Sequence, residues 1–213
     1  MAKPTFYNLP EEKRLRITSA ARCEFASVGY DLASIQTIIG NANIPRGSFY
    51  QYFEDKRDLF LTILSSIRDE KLDYLGSVLS EWERLPLFDL LGRLIEAGLE
   101  YAKAFPDALQ IAAKLMKSSM IELEEVLTTL SVDNQGTPVT GTHDFYMRLI
   151  EHAKDVGEIT SEIPTATIAF YLQTMMESIS RLVLNEDGLQ GIPPVYDDIF
   201  LMMKNGLIND RDD

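Results

Sequence analysis

Residues Ile44 to Phe53 read IPRGSFYQYF, and the chain on either side is organised around this stretch. Pro45 has a fixed φ that can open a helix but not continue one. Asn43 just before it tolerates left-handed backbone, so a short helix is expected to begin here after a tight turn. Phe49 and Phe53 lie four apart and are expected to face inward, leaving Arg46, Gly47, Ser48, Tyr50, Gln51 and Tyr52 around the outside. That outer face holds no carboxylate, although the chain carries 33 Asp and Glu against 20 Lys and Arg. Its hydroxyls, amide and guanidinium can donate hydrogen bonds to phosphates and base edges. The pattern is that of a helix that docks in a DNA groove.

Upstream, Asn8, Leu9 and Pro10 followed by Glu11 and Glu12 make a helix start, because the acids suit the positive end of the helix dipole. The first helix is expected to run to about Val28, with Ile17, Ala20, Ala21, Phe25 and Val28 on one stripe and Gly29 ending it. Ser34 is a candidate N-cap for a short helix from Ile35 to Gly40. A turn through Asn41, Ala42 and Asn43 then leads to the opening stretch. Two short helices so joined and backed by a longer one form a helix-turn-helix unit.

Downstream, a long helix is expected from Asp55 or Lys56 to about Arg84. Further helices are expected at Leu87–Phe105, at Asp107–Leu130 with an interruption near Ser118 and Ser119, and at His143–Val156 with a stop at Gly157. Two apolar helices follow, Thr165–Leu184 and Val195–Ile208. Residues 131–142, SVDNQGTPVTGT, read as a surface loop. No segment shows sustained strand alternation, so the chain reads as all-α with about nine helices: an N-terminal three-helix DNA-binding domain over residues 1–60 and a larger helical ligand-binding and dimerisation domain over residues 61–213.

The net charge of −13 argues against a general nucleic-acid binder, yet it is unevenly spread. Residues 1–60 carry eight Lys and Arg against seven Asp and Glu, and the remainder carries 12 against 26. A near-neutral head can dock on DNA while an acidic body stays clear, since screening confines each charge to roughly 8–10 Å. No run of about 18 apolar residues is present for a membrane span, and the start MAKPTFYNLPEEK lacks the apolar core of a secretory signal, so a cytoplasmic protein without membrane contact is expected. Cys23 is the only cysteine, which rules out an intrachain disulfide and leaves a small packed or partly exposed residue.

The first 60 residues resemble the DNA-binding domain of the tetracycline-repressor (TetR) family of transcriptional regulators. The resemblance is carried by Ile17, Ala20, Ala21, Phe25, Gly29, Ile35, Ile38, Ala42, Ile44, Gly47, Ser48, Tyr50, Tyr52, Phe53, Lys56 and Leu59. It implies that Ser34 and Gln36 make backbone or edge contacts, that Arg46, Ser48, Tyr50 and Gln51 face the groove, and that Tyr52 and Lys56 anchor phosphates. By the same resemblance Gly47 lets the backbone approach the duplex. Three positions depart from the family pattern: Ile39 stands for a small alanine, Asn43 for a turn glycine and Pro45 for a serine or threonine cap.

For the rest of the chain the resemblance implies a homodimer through residues 165–208, built as a four-helix bundle, and a small-molecule effector. Met116, Met120, Phe145, Met147, Phe170, Tyr171 and Met175 are candidates for a largely apolar pocket, with Glu96 and Glu100 placed to meet a cationic group. The expected partner is a near-palindromic double-stranded operator from which the effector releases the protein; the alternative keeps the DNA head and replaces the small molecule by a protein partner. His143 and His152 are nine apart on one helix and half a turn out of phase, so they make no joint metal site. No nucleophile–base pair or HExxH and CxxC pattern points to an enzyme, and no cofactor is expected.

Overall fold

The computed structural model describes residues 2–118, 143–183 and 195–207, without the side chains of 177, 180–183 and 195–197. Ten helices lie among them: α1 Pro4–Tyr7, α2 Glu11–Leu32, α3 Ile35–Asn41, α4 Arg46–Tyr52, α5 Lys56–Leu79, α6 Leu87–Ala104, α7 Pro106–Leu115, α8 His143–Asp155, α9 Thr165–Val183 and α10 Val195–Leu207. The fold is all-α, with an N-terminal helix-turn-helix and a helical C-terminal part. Among the described residues no helix is long and apolar enough to cross a membrane. The expected surface loop 131–142 and the second half of the helix expected at Asp107–Leu130 lie outside the described residues.

Contacts divide the chain into two compact units, one holding the described residues of Met1–Glu70 and Phe105–Leu130, the other those of Lys71–Ala104 and Ser131–Asp213. This division differs from a boundary at residue 60 in two ways. The first part of α5 belongs with the head because Leu59, Phe60, Ile63 and Leu64 are buried in its core. Helix α7 belongs there too: it packs along α2, and its Ile111 is buried in that same core.

In the first unit, α2, α3 and α4 close over Ile17, Ala21, Phe25, Ile38, Ile39, Phe49 and Phe53. Gly29 has φ 77° and breaks the regular course of α2, as the sequence leads one to expect, but one further turn follows it to Leu32. That backbone suits glycine, while an added Cβ would only touch Lys114 of α7 at 3.4 Å, so the conformation and not the space calls for glycine. The α3–α4 turn is a Schellman motif: Ile44 N–H donates to Ile39 O at 3.1 Å and Asn43 N–H to Gly40 O at 3.1 Å, with Asn43 in the left-handed region at φ 51°. Ile39 and Ile44 are both buried, so the large residue at position 39 is absorbed by the core beneath this turn.

The second unit is built on α6, α8, α9 and α10 around Leu87, Leu91, Leu149, Ile150, Ile168, Leu172 and Met203. Helix α8 ends in another Schellman motif, with Gly157 at φ 76° and Glu158 N–H donating to Ala153 O at 2.9 Å. Helix α5 stops at Leu79, not Arg84. Beyond it Glu81 N–H donates to Val78 O and Trp82 N–H to Leu79 O, three-residue turns that tighten the chain before Pro86. Trp82 packs edge-on against His152, whose Nε2 lies 3.2 Å from Glu83 O.

Candidate nucleic-acid interface

Ser34, at the start of α3, is extended (φ −111°, ψ 123°), and its hydroxyl accepts from Thr37 N–H at 3.5 Å, the cap expected from the sequence. Its own N–H donates to Glu24 Oε1 at 2.9 Å, which fixes the cap to α2. Pro45 caps α4 with φ −63° and ψ 147°, and its carbonyl accepts from Ser48 N–H at 2.9 Å. The starts of both short helices, Ser34 to Gln36 and Arg46, line the same depression.

Five of the nine residues expected at a DNA contact, Ser34, Gln36, Arg46, Tyr50 and Lys56, line one open depression of about 400 Å³ with Ala33 and Ile35. Gln36, Arg46, Gly47, Tyr50 and Gln51 are exposed, and Ser48 is half-buried. A Cβ added to Gly47 would meet nothing within 4 Å, so the protein's own packing gives no reason for a glycine inside α4. Glycine there costs about 0.5–1 kcal/mol of helix stability relative to alanine. A bare backbone at that place favours close approach by something outside the chain.

Tyr52 requires a correction. It is only 5% exposed and belongs to the core, with its ring 6.5 Å from Phe6 and the Lys13 ammonium 5.5 Å from its centroid. Phe49, Tyr52 and Phe53 fall at i, i+3 and i+4, the single inward stripe of a helix, so Tyr52 is not on the outer face. Lys56 stands at the depression, but its ammonium donates to Asp31 O at 3.2 Å and Ala33 O at 3.1 Å and lies 4.7 Å from the centroid of the Tyr30 ring. Two of its three N–H groups thus tie the end of α2 to the start of α5, directly before the Ser34 cap.

The residues named for an effector pocket are scattered. Glu96 and Glu100 are exposed on α6, Phe170 and Tyr171 are exposed on α9, and Met116 is exposed just beyond α7 in the first unit. Phe145, Met147 and Met175 are partly buried against the core of the second unit. Met120 lies outside the described residues. Three residues beside α4 went unread in the sequence: Lys3, Thr5 and Phe6, which pack or bond against its C-terminal end. Pro4 at the first helical position is the one signal of α1, and four residues give no periodicity to read.

Residues 17–63 match the family model described as bacterial regulatory proteins, tetR family. The chain is similar to the HTH-type transcriptional repressor AcnR of Corynebacterium glutamicum, 23% identical over 204 residues that cover 95% of this chain and 96% of that protein. A TetR family transcriptional regulator from Chloroflexus aurantiacus superposes with a TM-score of 0.58 at 25% identity, covering 98% of this chain and 99% of that one. FadR from Bacillus subtilis, solved in complex with stearoyl-CoA, has a TM-score of 0.69 at 13% identity and covers 90% of this chain and 98% of that one, a likeness of fold alone. Over residues 17–63 the chain thus carries a helix-turn-helix head of the tetR family of bacterial regulatory proteins, and transcriptional regulators of that family are alike with it along nearly its whole length.

Proposed function

We propose that the protein is a homodimeric repressor that binds a near-palindromic operator and is released from it by a small molecule. The observation that carries the DNA part is the convergence of Ser34, Gln36, Arg46, Tyr50 and Lys56 on one open face at the start of α3 and α4. In this reading Arg46, Ser48, Tyr50 and Gln51 meet base edges, Ser34 and Gln36 meet the backbone, and Lys56 meets a phosphate with its remaining N–H. Repression as the sign of control is supported by the likeness to AcnR, named a repressor.

The dimer is supported by α9 and α10, which leave Phe170, Leu201 and Met202 exposed at 68%, 56% and 71%. Large apolar side chains on two consecutive helices of a soluble fold favour a covering partner, and a second copy meets them with the same surface. Phe170→Glu combined with Met202→Glu is expected to shift the protein to monomer in sedimentation velocity and to abolish operator binding by a dimer spanning half-sites roughly 34–36 Å apart. An unchanged dimer would refute this face.

Effector control is supported by the neighbour FadR, whose structure holds stearoyl-CoA. By analogy the effector is largely apolar and sits in the second unit among α6, α8 and α9. Selection of bound duplexes from a random pool, followed by screening acyl compounds for release, tests the whole reading. Within that assay Arg46→Ala is expected to weaken operator binding by about 1–3 kcal/mol and to relax preference at one base position. Retention of full affinity and preference would remove Arg46 from the reading face.

A further inference from the structure

Helix α4 spans only Arg46–Tyr52, and its ladder ends where Phe53 N–H donates to Phe49 O at 2.9 Å. The next three carbonyls, those of Tyr50, Gln51 and Tyr52, have no donor within the helix. All three are taken by one segment far away in sequence. Lys3 Nζ donates to Tyr50 O at 3.0 Å, the Thr5 hydroxyl donates to Gln51 O, and Lys3 N–H donates to Tyr52 O at 2.8 Å.

The segment is itself held from behind. Phe6 is buried with its ring centroid 4.9 Å from that of Phe53, and Ala2 N–H donates to Thr62 Oγ1 of α5 at 3.0 Å. The Lys3 ammonium thus lies at the negative end of the α4 dipole, where a cation is favourable. A helix of this length does not persist without tertiary support, and its last turn carries Tyr50 and Gln51 of the outer face.

We propose that Lys3 and Thr5 are positioning residues that set operator specificity: they cap the last turn of α4 and so hold Tyr50 and Gln51 in the register that separates operator from random DNA. This rests on the reading of α4 as the DNA helix. Non-specific affinity comes from phosphate contacts and specific affinity from the fit of the outer face to base edges. Loosening the last turn therefore reduces binding to operator and leaves binding to random duplex in place. A lysine that touched phosphate directly would contribute to both and to their salt dependence.

The test uses the intact protein, an operator selected with it from random duplexes, and a scrambled duplex of equal length, each titrated over a range of salt. Thr5→Val and Lys3→Ala are each expected to weaken operator binding about three- to tenfold. Binding to the scrambled duplex should stay within about twofold, with the salt slope unchanged. Thr5→Ser and Lys3→Arg should restore the wild-type ratio, and the Phe53 amide should exchange faster with solvent only in the unrestored variants. Equal losses on both duplexes, with a salt slope flatter by about 0.9 for Lys3→Ala, would make Lys3 a phosphate contact and overturn the proposal. If Arg46→Ala loses operator binding while the Lys3 and Thr5 variants keep the wild-type ratio, the clamp alone falls. If Arg46→Ala also binds normally, the reading of α4 falls and the clamp falls with it.

Discussion

Phe49→Ala is expected to lower the stability of the first unit by about 3–5 kcal/mol, the cost of emptying a large buried site. Phe49 is fully buried, with its ring centroid 5.4 Å from that of Phe53 and 5.2 Å from that of Tyr50. It is one of the residues, with Tyr52 and Phe53 at the end of the helix, through which α4 reaches the core shared by α2, α3 and α5. Removing the ring forfeits both the transfer of its surface out of water and the dispersion contacts of the side chains around it. Because α4 has seven residues, it cannot remain helical by its own hydrogen bonds once that anchor is gone. Operator binding should therefore be lost together with stability. Urea unfolding followed by circular dichroism measures the effect, and Phe49→Leu, which keeps most of the volume, should lose clearly less. A Phe49→Ala protein within about 1 kcal/mol of wild type would show that α4 is held chiefly by something else.

What the sequence made legible is what acts over three or four residues. The Ser34 cap, the left-handed Asn43, the break at Gly29 and the inward pair Phe49 and Phe53 each follow from local chemistry, and each stands in the structure. Tyr52 was equally local, since it continues the stripe of Phe49 and Phe53. The family resemblance implies a phosphate anchor there, and the helical period points the other way. The remainder was not local at all. The carbonyls of α4 are capped from residues 46 and 47 positions away, α1 is too short to show a period, and α7 joins the head through packing on α2. No window of sequence contains both partners of such contacts. The effector pocket is less legible still, because Met and aromatic residues at helical spacing serve a core and a cavity equally well.

Arg22 makes another such contact, 85 positions along the chain to Asp107, and Arg22→Met is expected to destabilise the first unit by about 2–4 kcal/mol. Its Nε donates to Asp107 Oδ2 of α7 at 2.5 Å, and its two terminal nitrogens donate to the carboxylate of Glu70 on α5 at 3.0 and 3.3 Å. One guanidinium thus joins α2, α5 and α7, with its fork matched to one carboxylate and its remaining edge to another. The Arg22 side chain is 16% exposed, and those of Glu70 and Asp107 are 29% and 37% exposed. Breaking a fully buried pair costs about 3–5 kcal/mol, and the partial exposure of both acids reduces that figure. Burial pushes the Asp107 carboxyl up, but the Arg22 hydrogen bond and charge, with the N–H groups of Ala108 and Asp107 itself, outweigh it and hold the carboxyl below its usual 3.8. A carboxyl depressed in the folded state contributes stability in full above its unfolded value and loses it as pH falls through the folded one. The gap between wild type and Arg22→Met should therefore be constant from about pH 5 to 8 and close progressively below about pH 4. Urea denaturation of both proteins across that range at fixed ionic strength decides the matter. A gap as wide at about pH 3 as at neutrality would mean that the arginine acts through the packing of its stem, and not through the two carboxylates that it joins.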